Sequence, residues 1–260
     1  MKKVALITGA SSGIGMELAR VHASKGNNLV LVARRKSKLD ELKKELEHQF
    51  KISVYVIAKD LSEQNSAQDV YDELKQQDIQ IEYLVNNAGF GDYGMFYEAD
   101  WVKESHMINL NIFTLTNFCK LFLKDMVANG SGKIMNVAST AAFQPGPSMA
   151  VYFATKAYVL SFSEAIGNEV LDMGITVTAL CPGATESGFM AAASLEKSKL
   201  FKGKNIATSK EVAEFGYAAM MKGKAVAVHG ILNSFLTNMI KFAPRSLVVK
   251  VTRKMLDKVK

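Results

Sequence analysis

The chain has 260 residues, of which 48% are hydrophobic and 22% charged, and it carries a net charge of +7. That apolar share supports a substantial core and excludes a disordered chain, and two cysteines exclude a disulfide framework. No apolar stretch approaches the ~20 residues that a membrane-spanning helix requires.

Lys3 to Ile7 reads as a short buried strand, and Thr8-Gly9-Ala10-Ser11-Ser12-Gly13-Ile14-Gly15 follows it. Met16 to His22 then has helical spacing. Strand, glycine turn and helix is the context of a nucleotide-phosphate loop. Without side chains at Gly9, Gly13 and Gly15 the backbone can approach a diphosphate, which rests on the positive end of the helix. The alternative is a plain tight turn. The loop lacks the Gly-Lys-Ser/Thr ending of an NTP-hydrolysing site, which argues against phosphoryl transfer. The start briefly mimics a signal peptide, but its apolar run is too short and enters the glycine loop, so a cytoplasmic protein is expected.

A second strand, Asn28 to Ala33, ends in Arg34-Arg35-Lys36. This strand end commonly holds an acid for the ribose 2′-hydroxyl, whereas an arginine accommodates a 2′-phosphate. Arg34 and Arg35 therefore point to NADP(H), with a solvated basic loop as the plainer reading.

Further strands are expected at Val54–Ile57, up to Asn86, at Lys133–Val137 and at Ala225–Val228. Helices are expected at Leu39–Phe50, Gln68–Gln77, Trp101–Val127 and Ala150–Met173. This alternation implies a doubly wound α/β fold: a mostly parallel sheet with helices on both faces. Residues 1–230 form one Rossmann-like unit in this reading, and residues 231–260 form an amphipathic helical extension packed on it. The histidines show no ligand pattern, so no metal is expected.

Tyr152 and Lys156 stand four residues apart in a helical segment, so their side chains share a face. An ammonium beside a phenol favours phenolate and draws the tyrosine towards the pKa of a general acid/base. The spacing alone also fits two solvated residues. Ser139, at the end of the Lys133 strand, could be a cap, and Asn111 could bond to a neighbouring backbone group.

Taken in order, these pieces resemble the short-chain dehydrogenase/reductase family in its compact form, over about Lys2 to Val228. Thr8 to Gly15 is similar to that family's Thr-Gly-x-x-x-Gly-x-Gly loop, and Asp60-Leu61 to the pair lining its adenine pocket. Asn86-Asn87-Ala88-Gly89 matches its Asn-Asn-Ala-Gly turn, Asn111 its helix asparagine, Ser139 its serine, and Tyr152 with Lys156 its tyrosine and lysine. Pro182-Gly183 falls where the family turns over the nicotinamide, and Ser187 where relatives often have a threonine. The resemblance implies seven strands and a nicotinamide that performs hydride transfer. Tyr152 would protonate the developing alkoxide and Ser139 would bond the same oxygen. Lys156 would lower the Tyr152 pKa and hold ribose hydroxyls, and Asn111 would support a water chain. Cofactor contacts would come from Gly9, Ser11, Ser12, Gly13, Ile14, Gly15, Arg34, Arg35, Asp60, Leu61, Asn87, Ala88, Gly89, Tyr152, Lys156, Pro182, Gly183 and Ser187.

The partners implied are a small-molecule carbonyl or alcohol and a second copy in a homo-oligomer. Nucleic acid is not expected, because no aromatic-basic interleaving or recognition helix accompanies the charge. Phe90, Phe143 and Met149, with Phe189, Met190, Leu195, Leu200 and Phe201 as a lid, suggest an apolar ketone such as a 3-oxoacyl or steroid-like substrate. The tail continues with Ile231 to Phe242, a break at Pro244, and a basic amphipathic stretch from Arg245 to Val259. Such a stretch can lie on an anionic membrane, but an apolar stripe more often packs on the body or caps a pocket. A non-catalytic NADP(H) sensor is the alternative function. It is disfavoured because Tyr152 and Lys156 are both present.

Overall fold

The computed structural model describes residues 2–186 and 206–256. Its centre is a seven-stranded sheet of β1 (Val4–Thr8), β2 (Asn28–Ala33), β3 (Val54–Ala58), β4 (Tyr83–Asn86), β5 (Gly132–Val137), β6 (Ile175–Cys181) and β9 (Val226–Val228). They lie in the order β3-β2-β1-β4-β5-β6-β9, and every pair is parallel. A separate two-stranded pair joins β7 (Thr185–Glu186) to β8 (Ala207–Thr208).

Helices cover both faces, which is why the strands read as continuous apolar runs rather than alternating ones. Successive side chains still point to opposite faces, and this divides the core in two. Ala5, Ile7, Leu29, Leu31 and Val85 face one cluster with Leu18 of α1 (Gly13–Ala23) and Leu39 of α2 (Lys36–Phe50). Val212 of α7 (Ser209–Met221) joins this cluster. Leu6, Val30, Val32, Leu84 and Ile134 face the other, with Leu74 of α3 (Ser66–Gln76), Phe118 of α5 (Leu115–Asn129) and Val159 of α6 (Ala150–Glu169).

The expected single helix from Trp101 to Val127 is interrupted. After α4 (Trp101–Ile108), residues Asn109–Thr114 form a wide π turn before α5 begins. Such turns insert one residue into the helical ladder and often mark functional positions. α7 begins with a capping box, in which Thr208 accepts from the Glu211 amide and Glu211 bonds back to Thr208. Two tail helices, α8 (Ile231–Met239) and α9 (Arg245–Leu256), close the described chain.

The strand order reverses between β1 and β4, so their loops diverge at the carboxyl edge of the sheet. Open α/β sheets hold ligands in the crevice such a reversal creates.

Candidate active site

A groove of about 570 Å³ lies in that crevice, within the ~300–1,000 Å³ of small-molecule sites. It runs from Arg34, Arg35, Lys59 and Asp60 past the glycine loop to Ser139, Tyr152 and Lys156.

One threonine joins the two loops at the reversal. The Thr8 hydroxyl accepts from the Asn87 amide at 3.0 Å and the Ala88 amide at 2.9 Å. The Asn87 side chain returns a bond to the Thr8 carbonyl at 2.9 Å. Gly9 turns with φ +67, a conformation L side chains rarely adopt. A Cβ at Gly15 would strike the Gly9 carbonyl and Asn87, so α1 can start this close to β4 only with glycine there.

At the basic end Arg35 crosses to the glycine loop, donating to the Ser12 hydroxyl at 2.8 Å and the Ser11 hydroxyl at 3.1 Å. Arg34 lies 3.6 Å from Asp60. Burial works against the Asp60 carboxylate, but bonds from Ser62 and the Arg34 charge outweigh it and leave its pKa below the usual value. The adjoining Leu61 carbonyl accepts from Thr114 of the π turn at 2.8 Å.

At the other end, α6 carries Tyr152 and Lys156 into the groove, and both are buried. The Lys156 ammonium donates to the Val137 carbonyl at 2.8 Å and stands 5.9 Å from the centre of the Tyr152 ring. The Ser139 hydroxyl bonds to Tyr152 and accepts from the Ala141 amide at 3.1 Å. Asn111 donates to the Phe90 carbonyl at 3.0 Å and to the Thr155 hydroxyl at 3.1 Å, which ties the π turn to α6. Gly89 leaves room for this, since a Cβ there would fall 2.9 Å from the Asn111 carbonyl oxygen and 3.5 Å from the Lys156 ammonium.

In this geometry the Tyr152 pKa is set first by burial. Burial pushes the phenol up to about 12, with the Ser139 bond pulling it back. Burial also lowers Lys156 to about 8, opposed by nearby Cys181. Desolvation disfavours both charged forms, so burial moves both groups towards their neutral species.

Every candidate site residue within the described chain lines the groove or braces it, except that Phe143 packs against the second core cluster. Gly15 and Asn111 act from behind the wall. Ser187 and the lid residues Phe189, Met190, Leu195, Leu200 and Phe201 lie outside the described residues. Sequence reasoning missed Thr8, although it opens the glycine motif, and also Lys59 and Phe153. The tail was expected to pack on the body or cap a pocket, and α9 does both: Thr252, Met255 and Leu256 line the groove, and Leu256 packs with Met149, Tyr152 and Phe153.

The family model described as "short chain dehydrogenase" matches residues 3–198. The chain belongs to this family. The human very-long-chain 3-oxoacyl-CoA reductase is 33% identical over 185 residues, 68% of this chain and 58% of that protein. The mouse 17-beta-hydroxysteroid dehydrogenase type 3 is 33% identical over 188 residues, 70% of this chain and 60% of that one. The matched segment thus spans under two thirds of these relatives' length. Among solved structures, a short-chain dehydrogenase from Sphingobium yanoikuyae in complex with NADPH superposes with a TM-score of 0.84 at 30% identity, covering 94% of each chain. The family is one of oxidoreductases that use a nicotinamide cofactor. The groove suits one: its described lining carries four cations against one carboxylate, Asp60, a balance that matches a polyanionic dinucleotide.

Proposed function

We propose that this chain is an NADP(H)-dependent carbonyl reductase whose substrate is an apolar ketone, such as a 3-oxoacyl or steroid-like compound. The observation that carries this reading is the groove itself. Arg35 stands on Ser11 and Ser12 with Arg34 beside Asp60 at one end, and Ser139, Tyr152 and Lys156 meet at the other.

The Arg35 guanidinium already satisfies two serine hydroxyls, and with Arg34 it offers charge-assisted donors to a 2′-phosphate. Backbone amides at Ser12, Gly13 and Ile14 open α1 and would take the diphosphate. Asp60 and Leu61 would flank the adenine, and Asn87, Ala88 and Gly89 the middle of the cofactor. Pro182 and Gly183 would lie over the nicotinamide, and Lys156 would reach its ribose. Bound there, NADPH supplies the hydride.

The chain's own residues handle the proton. Tyr152 keeps its proton at neutral pH and gives it to the oxygen of a carbonyl as negative charge develops there. Ser139, bonded to that phenol, offers a second hydrogen bond to the same oxygen. Lys156, fixed on Val137, opposes the negative charge left on Tyr152. Asn111 steadies the Phe90 backbone beside them.

An apolar substrate is supported by Phe90, Met149, Phe153, Met255 and Leu256 around the Tyr152 end, and by the relatives' printed activities on 3-oxoacyl-CoA and hydroxysteroid compounds. A homo-oligomer also belongs to this reading, supported by Trp101, Val102 and Phe113 exposed on the outer side of the α4–α5 region.

A carbonyl panel read by nucleotide absorbance tests it. NADPH should be consumed with at least one 3-oxoacyl or steroid ketone, and NADH more slowly. Equal rates with both nucleotides would remove the NADP(H) assignment, and no turnover with any ketone would remove the activity.

A further inference from the structure

The two tail helices carry their apolar residues on the wrong side for a water-soluble surface. On α8, Ile231, Leu232, Phe235, Leu236 and Met239 are exposed, with Ile231 at 93%. Two of its polar side chains turn inward instead, while Asn238 is exposed: Thr237 is buried, and Asn233 sits where a Cβ on Gly183 would fall. A surface helix normally buries its apolar stripe, whereas α8 leaves its own exposed. Phe242, in the turn that follows, is 82% exposed.

α9 repeats the pattern in part. Val248, Thr252 and Leu256, one helical stripe, are buried against the body. Beside that stripe Leu247, Val251 and Met255 remain about half exposed. Lys250, Arg253 and Lys254 stand on the far side and are exposed, as are Arg245 and Lys241. The chain has no acidic residue between Phe215 and Leu256. The packing expected of the tail and the exposed stripe are therefore both present, on different sides of one helix.

We propose that the face formed by α8, the Phe242 turn and α9 docks onto the surface of an anionic phospholipid bilayer. Among the described residues no helix is long and apolar enough to cross a membrane, so the contact is peripheral. Charge complementarity selects this occupant. An exposed apolar stripe rimmed by lysine and arginine fits acyl chains below and phosphate headgroups around them. A second copy fits poorly, since a two-fold contact sets the same basic surface against itself. Because α9 also lends Thr252, Met255 and Leu256 to the groove, the docked face and the substrate wall share one helix.

The test is co-sedimentation of the full chain with phosphatidylcholine vesicles, with and without phosphatidylserine. The protein should pellet with the phosphatidylserine vesicles and be released by raised salt. Phe235→Asp with Phe242→Asp should weaken partitioning at least roughly tenfold, and Lys250→Glu with Lys254→Glu roughly thirty-fold. Both pairs avoid the groove, and an unchanged melting temperature would show that each variant folds. Binding that ignores phosphatidylserine or salt would overturn the proposal, as would variants that pellet like the wild type. So would a wild-type dimer that shows no vesicle binding and that the phenylalanine variant dissociates.

Discussion

The Lys156 ammonium is anchored on the carbonyl of Val137, 2.8 Å away at the end of β5. This bond joins the helix that carries Tyr152 to the strand that leads into Ser139. It fixes the positive charge at 5.9 Å from the centre of the phenol ring, so the charge sits beside the place where a phenolate would form.

A pH dependence follows from that charge. Burial lowers Lys156 to about 8, so the group is an ammonium below that pH and neutral above it. Carbonyl reduction should hold a plateau below about pH 8. Above it, kcat/KM should fall towards tenfold per pH unit as the charge facing the nascent phenolate is lost. A guanidinium stays charged throughout, so the residual activity of Lys156→Arg should lack this fall. The pH–rate profiles of the two proteins check it.

In the proposed NADP(H) reading, nucleotide preference would rest on Arg35. It donates to both Ser11 and Ser12 and would add a bond to a 2′-phosphate. Arg35→Ala should raise the KM for NADPH roughly 10- to 100-fold, the worth of a hydrogen bond to a charged group. The KM for NADH should change little. Steady-state kinetics with each nucleotide measures both.

His22 should contribute to the acid limb of stability. Burial lowers its pKa to about 4; the ring bonds to the Tyr217 hydroxyl at 3.1 Å through Nδ1. Between the unfolded pKa of about 6.5 and the folded value, the unfolded chain binds the proton and the folded chain refuses it. Stability is therefore full above pH 6.5 and declines as the pH falls through that window, by about 3 kcal/mol over its width. His22→Gln keeps a polar partner for Tyr217 but cannot titrate, so its unfolding free energy should fall less steeply between pH 6.5 and 4. Urea denaturation across that range reads the difference.

Much of this was legible in the chain, because the signals are local. The β2 run ends at Arg34 and Arg35 as read, and β2 itself keeps its expected ends. The glycine spacing forecast the β1–α1 turn, and the four-residue spacing put Tyr152 and Lys156 on one face of α6. What stayed hidden depends on distant partners. The π turn around Asn111 exists where bonds to Phe90 and Thr155 hold it, and none of these is near in sequence. The upward push on Tyr152 comes from burial by neighbours such as Met149, Phe153 and Leu256, an effect of packing that the spacing of Tyr152 and Lys156 does not carry. α7 was passed over although its Thr208–Glu211 capping box is a local signal. In the tail the apolar spacing was plain, but only the packing shows which stripe turns inward.

The proton role of Tyr152 is the centre of the account, and Tyr152→Phe tests it most directly. The substitution keeps the ring against Phe153 and removes only the hydroxyl. Titration of the variant with NADPH by fluorescence, together with its kcat on the best ketone of the panel, measures binding and chemistry separately. The account predicts a dissociation constant within about twofold of wild type and a loss of about 10²–10⁴ in kcat, the usual contribution of a general acid. A variant that still reduces the ketone at the wild-type rate would contradict it.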